Sequence, residues 1–118
     1  MENEIAELVE KNLRQVWAQR DASERIKIIE SLYSADAKLF EEGHQTSGYE
    51  AINDAVTNVL QNFPQEFTFF LLRPIAVNGN MAKTSWGIGS DLQAPVATGI
   101  DITLVEDGKI KALYVFLD

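Results

Sequence analysis

The 118-residue sequence contains no cysteine, a single histidine (His44), only three prolines and no long apolar run. Each shortage removes a class of protein. Without cysteine there are no disulfides, no thiolate nucleophile and no ordinary structural zinc site; this fits a reducing compartment, and the cytoplasm is the expected location. A lone histidine cannot build a multi-histidine centre, so no metal site is expected. No segment reaches the ~20 apolar residues that span a bilayer. The N-terminal MENEIAELVEKNL is acidic and amphipathic rather than basic and then apolar, so neither a membrane span nor a signal peptide is expected. Positive charge is also short: ten Lys and Arg against eighteen Asp and Glu give a net charge of -8. The basic residues are scattered, which leaves no patch for a phosphate backbone, and nucleic acid is not an expected partner.

What is present is an ordinary globular composition, 46% hydrophobic and 24% charged, enough for one core and one domain over residues 1–118. Ile5, Leu8, Val9, Leu13, Val16 and Trp17 recur at helical spacing and predict a first helix over about 3–19. Asp21 followed by Glu24 reads as a capping box that opens a second helix, whose buried face is Ile26, Ile29, Leu32 and Tyr33. A short strand over 37–42 then leads to a third helix over 48–62, capped by Ser47 with Glu50 and stopped by Pro64. From Phe67 onward the pattern becomes β: FTFFLLRPIAV, MAKTSWGIGS, VATGIDITLVE and KIKALYVFL, with Asn-Gly and Asp-Gly as hairpin turns. Four long strands are expected in an antiparallel meander.

The last strand is apolar on both faces, with Ala112, Tyr114 and Phe116 on one and Leu113, Val115 and Leu117 on the other. A sheet with one wet face would alternate apolar and polar residues. Three helices can cover one face only, so a homodimer packed through the outer sheet face is expected.

Asp101 interrupts the apolar run around it. Strand alternation groups it with Thr103 and Val105, opposite Ile100, Ile102 and Leu104. Inside an apolar cavity the ionised form of a carboxyl is penalised, which raises its pKa and suits it to act as a hydrogen-bond donor or general acid. The bland alternative is an ionised Asp101 paired with Arg20, Arg25, Arg73 or a nearby backbone amide. His44, on the polar EEGHQTSG segment, is a candidate proton shuttle or a surface residue. Trp17, Tyr33, Phe40, Trp86 and Phe116 are candidate walls of a cavity, or core. Trp86 stands out because Ser85, Gly87 and Gly89 beside it are small. No Ser-His-Asp motif, phosphate-binding glycine loop or metal-ligand spacing occurs, and no cofactor is implied.

VWAQRDASERIKIIESLYSADAKLF, SGYEAI and TGIDITLVEDGKIKALYVFLD carry W-x-x-R-D, L-Y-x-x-D-A, G-x-x-A-I and D-G-[KR]-I motifs in that order. In this the chain resembles the SnoaL-like branch of the nuclear transport factor 2-like superfamily over nearly its whole length. The resemblance implies a cone-shaped α+β barrel of the cystatin-like type, with three N-terminal helices packed on a curved antiparallel sheet and a pocket in the cone's interior. It also implies a role for Asp101, since ketosteroid isomerase and SnoaL-like cyclases carry a carboxyl near this place. DAKLFEEG aligns with the isomerase stretch that ends in the catalytic base, which puts Glu41 on the base position; the alternative is that the Glu41-Glu42 pair beside Gly43 is a solvated strand end. Leu13 stands where the isomerase has its oxyanion-hole tyrosine, so the steroid reaction itself is not expected. The function implied is binding of a small hydrophobic or aromatic molecule, with cofactor-independent isomerase, cyclase or dehydratase chemistry through Asp101, Glu41 and His44. A ligand-binding or protein-association module without catalysis, and an epoxide hydrolase-like enzyme, are the alternatives. An open cavity holding Asp101 favours binding or catalysis; a cone filled by Trp17, Trp86 and Phe116 favours association.

Overall fold

A computed structural model describes residues 2–118. Helix α1 (Glu2–Asn12) passes without a break into a π-helical segment, Leu13–Trp17, whose Ala18 N–H donates to the Leu13 carbonyl five residues back at 3.0 Å. The apolar stripe drives the packing here: Val9, Leu13, Val16 and Trp17 are all buried. Helix α2 (Ala22–Leu32) is capped by Asp21, whose carboxylate accepts from the Ser23 and Glu24 amides at 2.9 and 3.2 Å. The reciprocal half of the expected capping box is absent. Glu24 pairs with Lys27 instead, and the Asp21 N–H donates to Gln19 Oε1.

Strand β1 (Tyr33–Glu41) leaves α2 directly and forms a hairpin with β2 (His44–Ser47) before helix α3 (Tyr49–Gln61). This edge strand replaces the expected connecting loop. It also removes the predicted Ser47 cap: Ser47 stays in the ladder opposite Lys38, and Gly48 (φ 91°) makes the turn into α3 without any side-chain cap. A side chain other than glycine would be strained at that φ.

FTFFLLRPIAV is split by Arg73-Pro74 into β3 (Thr68–Leu71) and β4 (Ala76–Asn78), because proline lacks the N–H that a ladder needs. Strands β5 (Met81–Gly89), β6 (Ala97–Glu106) and β7 (Lys109–Leu117) follow. The Asp-Gly turn has both central residues, Asp107 and Gly108, at positive φ, as its hairpin requires. The other turn is shifted by one residue from expectation: Asn78 pairs with Met81, and Gly79 with Asn80 forms the loop.

The sheet order is β2-β1-β7-β6-β5-β3, with β4 also on β5. It is mixed rather than wholly antiparallel, since β1 runs parallel to β7. The long excursion through α3 and the other strands supplies the crossover such a pair needs. The sheet curves around the helices without closing, giving the cone-shaped α+β fold, with β2 and β3 as open edges. Val16, Ile29, Leu39, Ile52, Val56, Ile110 and Leu113 form the fully buried centre between helices and sheet. No helix among the described residues is long and apolar enough to cross a membrane.

Candidate functional site

The inner face of the sheet carries Asp101. Pairing sets Thr84, Asp101 and Val115 side by side on β5, β6 and β7, with Trp86 and Gly99 one step toward the open end. Between this face and the helices lies a cavity of about 280 Å³. Its lining includes Leu13 and Trp17 from the π segment, Glu41 at the end of β1, Asn62 and Phe63 beyond α3, and Phe69, Trp86, Ile88, Asp101 and Leu117 from the sheet. Leu117 is 64% exposed and Asn62 is exposed, so the cavity opens at that end of the cone. Its size is just below the roughly 300–1,000 Å³ of sites for drug-sized molecules, which suits a compact ligand.

Asp101 is only 7% exposed. The Trp86 indole N–H donates to its Oδ1 at 2.9 Å. Burial pushes its carboxyl from the ordinary 3.8 up to about 7, against the pull of the Trp86 hydrogen bond, which favours the anion. The group therefore changes protonation state near neutral pH, where general acid–base catalysis works best. No hydrogen bond reaches Oδ2 from any described residue.

Gly99 makes the pair possible. It faces Trp86 across β5 and β6, and a Cβ there would lie 2.2 Å from Trp86 Cζ2, so only glycine lets the indole lie over β6 and reach Asp101. Phe69 then stands edge-on to both indoles, with ring centroids 5.3 Å from Trp86 and 5.9 Å from Trp17. Such edge-to-face contacts favour a fixed geometry over a collapsed one.

None of the arginines considered as partners approaches Asp101. Arg20 spans the end of α3, donating from Nη1 to the Leu60 and Phe63 carbonyls and from Nη2 to those of Pro64 and Phe67. It thereby holds Asn62 and Phe63 at the cavity mouth. Arg25 is fully buried between α2 and α3, bonded to Gln19 O, Asn53 and the Thr57 hydroxyl. Arg73 donates to Ser85 Oγ on the far face of β5.

Of the residues singled out from sequence, the structure brings Asp101, Glu41, Trp17 and Trp86 to one cavity. The rest fall elsewhere. His44 is exposed in the β1–β2 hairpin and outside the lining. Tyr33 is wholly buried behind the cavity, donating to Asn12 Oδ1 at 2.6 Å, and burial pushes its phenol up. Thr103 shares the Asp101 face as expected but is sealed beneath the helices rather than lining the cavity. Phe40 lies on the outer face, stacked on Tyr114 at 4.6 Å. Phe116 pairs with Ile100 on that same face and is 52% exposed. Ser85, Gly87 and Gly89 also face outward. Phe70, Leu72 and Pro95 close over Gly87, so the space beside Trp86 comes from Gly99.

A wider depression of about 1000 Å³ lies outside α1, lined by Glu7, Glu10, Lys11, Arg14, Asn80 and Asp107 among others. It is a solvated groove of mixed charge in which Arg14 already pairs with Glu10. It lacks the buried ionisable group that distinguishes the inner cavity.

An open curved sheet with three helices over an inner cavity is the nuclear transport factor 2-like fold. Solved structures agree. A protein from Agrobacterium tumefaciens provisionally assigned as an isomerase of the SnoaL-like family is 22% identical, covers 98% of each chain and has a TM-score of 0.87. A provisionally assigned SnoaL-like polyketide cyclase from Jannaschia sp. is 15% identical, covering 99% of this chain and 87% of its own, with a TM-score of 0.80. A de novo designed protein with a curved β-sheet is 21% identical, covering 100% of this chain and 88% of its own, with a TM-score of 0.75. At these identities the likeness is one of fold, and the designed member shows that the fold alone assigns no function. No protein-family model matches the sequence, and no curated protein does.

Proposed function

We propose that the chain binds a compact hydrophobic or aromatic molecule carrying a carbonyl or hydroxyl oxygen, and that the cavity performs cofactor-independent acid–base chemistry of the isomerase, cyclase or dehydratase type. The observation that carries this reading is Asp101: a buried carboxyl that titrates near neutrality, fixed through one oxygen by Trp86 and free at the other, in the wall of an open cavity. In its neutral form it donates to the ligand oxygen. Glu41, half-buried in the same lining, is the base that takes a proton from a carbon beside that oxygen. The charge left on the oxygen is then stabilised by the Asp101 proton, which is the logic of an oxyanion site. His44 is the cross-strand partner of Glu41 but is exposed and outside the lining, so this reading assigns it no step. Leu13 offers only methyl groups to the cavity, which argues against the two-donor chemistry of steroid isomerisation.

The open cavity favours this reading over a protein-association module, and the distance of Arg20 and Arg73 from Asp101 removes support from an epoxide hydrolase. A second copy packed on the outer face is part of the proposal. Ile100, Ile102, Leu104 and Tyr114 there are only half-buried, and Phe116 and Met81 are exposed. Light scattering at micromolar concentration that found only the monomer would remove it. We place the protein in the cytoplasm on its lack of cysteine.

The test of the pocket is a thermal-shift screen with aromatic ketones, polyketide-like phenols and steroids, run on the wild type and on Asp101→Asn. A ligand that stabilises the wild type and stabilises the variant less supports the reading. Absence of any shift in either protein overturns it.

A further inference from the structure

Three buried side-chain polar atoms lack a hydrogen-bond partner among the described residues: Trp17 Nε1, Thr84 Oγ1 and Thr103 Oγ1. Trp17 Nε1 is set against the Tyr33 hydroxyl, which already donates to Asn12. The two threonines are different, because both neighbour Asp101. Thr84 is its direct partner across β5 and β6, and Thr103 is two residues along β6 on the same inner face. All three are buried, Thr84 at 2% and Thr103 at 0% exposure.

A buried hydroxyl with no partner carries its full desolvation penalty, and native proteins tolerate few. Here two of them belong to residues that neighbour Asp101 in the sheet, and one oxygen of its carboxyl also lacks a protein partner. Directly opposed residues on an antiparallel pair hold their Cβ atoms about 4.5–5.5 Å apart, and diagonal ones roughly 7–8 Å. One bridging oxygen spans such gaps, and a buried water is stable where it finds two to four polar partners. The chemistry of the three groups adds a reason. Trp86 can only donate, so by itself it favours the carboxylate. Threonine hydroxyls and water rotate and can donate to a carboxylate as well.

We propose that Thr84, Thr103 and Asp101 together hold one ordered water behind the cavity wall, and that this water donates to the Asp101 carboxylate and so favours the anion, leaving the proton of the neutral acid for the cavity side. The site belongs to the fold and does not depend on a ligand being turned over, so it stands or falls separately from the function proposed above.

The experiment uses the full chain. Thr84→Val and Thr103→Val keep the side-chain shape and remove the hydroxyl. With a bound water, each valine lowers the thermal midpoint. The double variant also moves the Asp101 titration midpoint, followed by carbon-detected NMR, upward by about one pH unit. Thr84→Ser and Thr103→Ser, which retain the hydroxyl, leave the Asp101 midpoint in place. If the hydroxyls are dry, removing an unsatisfied group stabilises the protein: valine variants that melt higher with Asp101 unmoved overturn the proposal. A measurement on the wild type covers the case of a variant that fails to fold. Long-lived water cross-relaxation to the Thr84 and Thr103 side-chain protons is expected, and its absence refutes the site.

Discussion

Replacing Asp101 by asparagine should make the protein more stable, by an amount that grows with pH. The carboxyl is pushed from 3.8 to about 7 by burial. Below about pH 4 it is neutral in both the folded and unfolded chain and carries no penalty. Between about pH 4 and 7 the unfolded chain releases this proton while the folded one keeps it, so this residue's contribution to stability falls as pH rises through that window and levels off above it. A shift of about three units at about 1.4 kcal/mol each amounts to on the order of 4 kcal/mol at pH 8, an upper figure since solvent relaxation reduces it. Asparagine has nearly the same shape, still accepts from the Trp86 indole and never ionises. Asp21 and Asp36, whose carboxyls are held low by hydrogen bonds from Ser23 and from Lys111 respectively, shift the pH profile of both proteins alike and cancel in the comparison. The assay is urea unfolding of wild type and variant at half-unit steps from pH 4 to 8. The stability difference should open from near zero to a few kcal/mol in favour of the variant. A difference that stays flat across this range, or narrows, refutes the assignment of a buried titrating carboxyl.

Trp86→Phe removes the donor that favours the Asp101 anion, so the NMR titration midpoint of Asp101 should rise above that of the wild type. Gly99→Ala forces the Trp86 ring off β6; the variant should lose roughly 2–4 kcal/mol in urea unfolding and release the Asp101 carboxyl from its indole partner. Arg20→Met leaves four carbonyls at the end of α3 without their donor, and about 2–3 kcal/mol of stability should go with them. The same variant should show faster amide exchange at residues 62–67 than elsewhere.

Much of this arrangement can be read from the residues alone, and the failures have definite causes. Three helices, the terminal hairpin and the inward face of Asp101 follow from apolar periodicity and from Asp-Gly, because each is a local pattern that packing then obeys. Strand β2 leaves no such signal: as an edge strand with little burial, HQTS has no apolar face to reveal it. Phe116 was expected in the cavity with Asp101, and a β-bulge accounts for its absence. A register shift between Leu104 and Val105 adds one residue to β7 near Lys111, which opposes Asp101 to Val115 and turns Tyr114 and Phe116 outward. One inserted residue exchanges the faces of everything beyond it. Gly99 and Trp86 lie thirteen positions apart, and only the β5–β6 register reveals that they touch. The π segment that aims Leu13 and Trp17 into one cavity is likewise invisible to a periodicity count, which treats 13–17 as more of the same helix.

The chain has two tryptophans, and both are walls of the same chamber, one of them bonded to the carboxyl. Its indole emission therefore originates entirely at the cavity, with no tryptophan elsewhere to dilute it. A ligand entering between the rings, or a proton leaving Asp101, changes the surroundings of a fluorophore the protein already carries. The molecule is its own optical reporter, and its ligands can be sought by watching it glow without attaching a label.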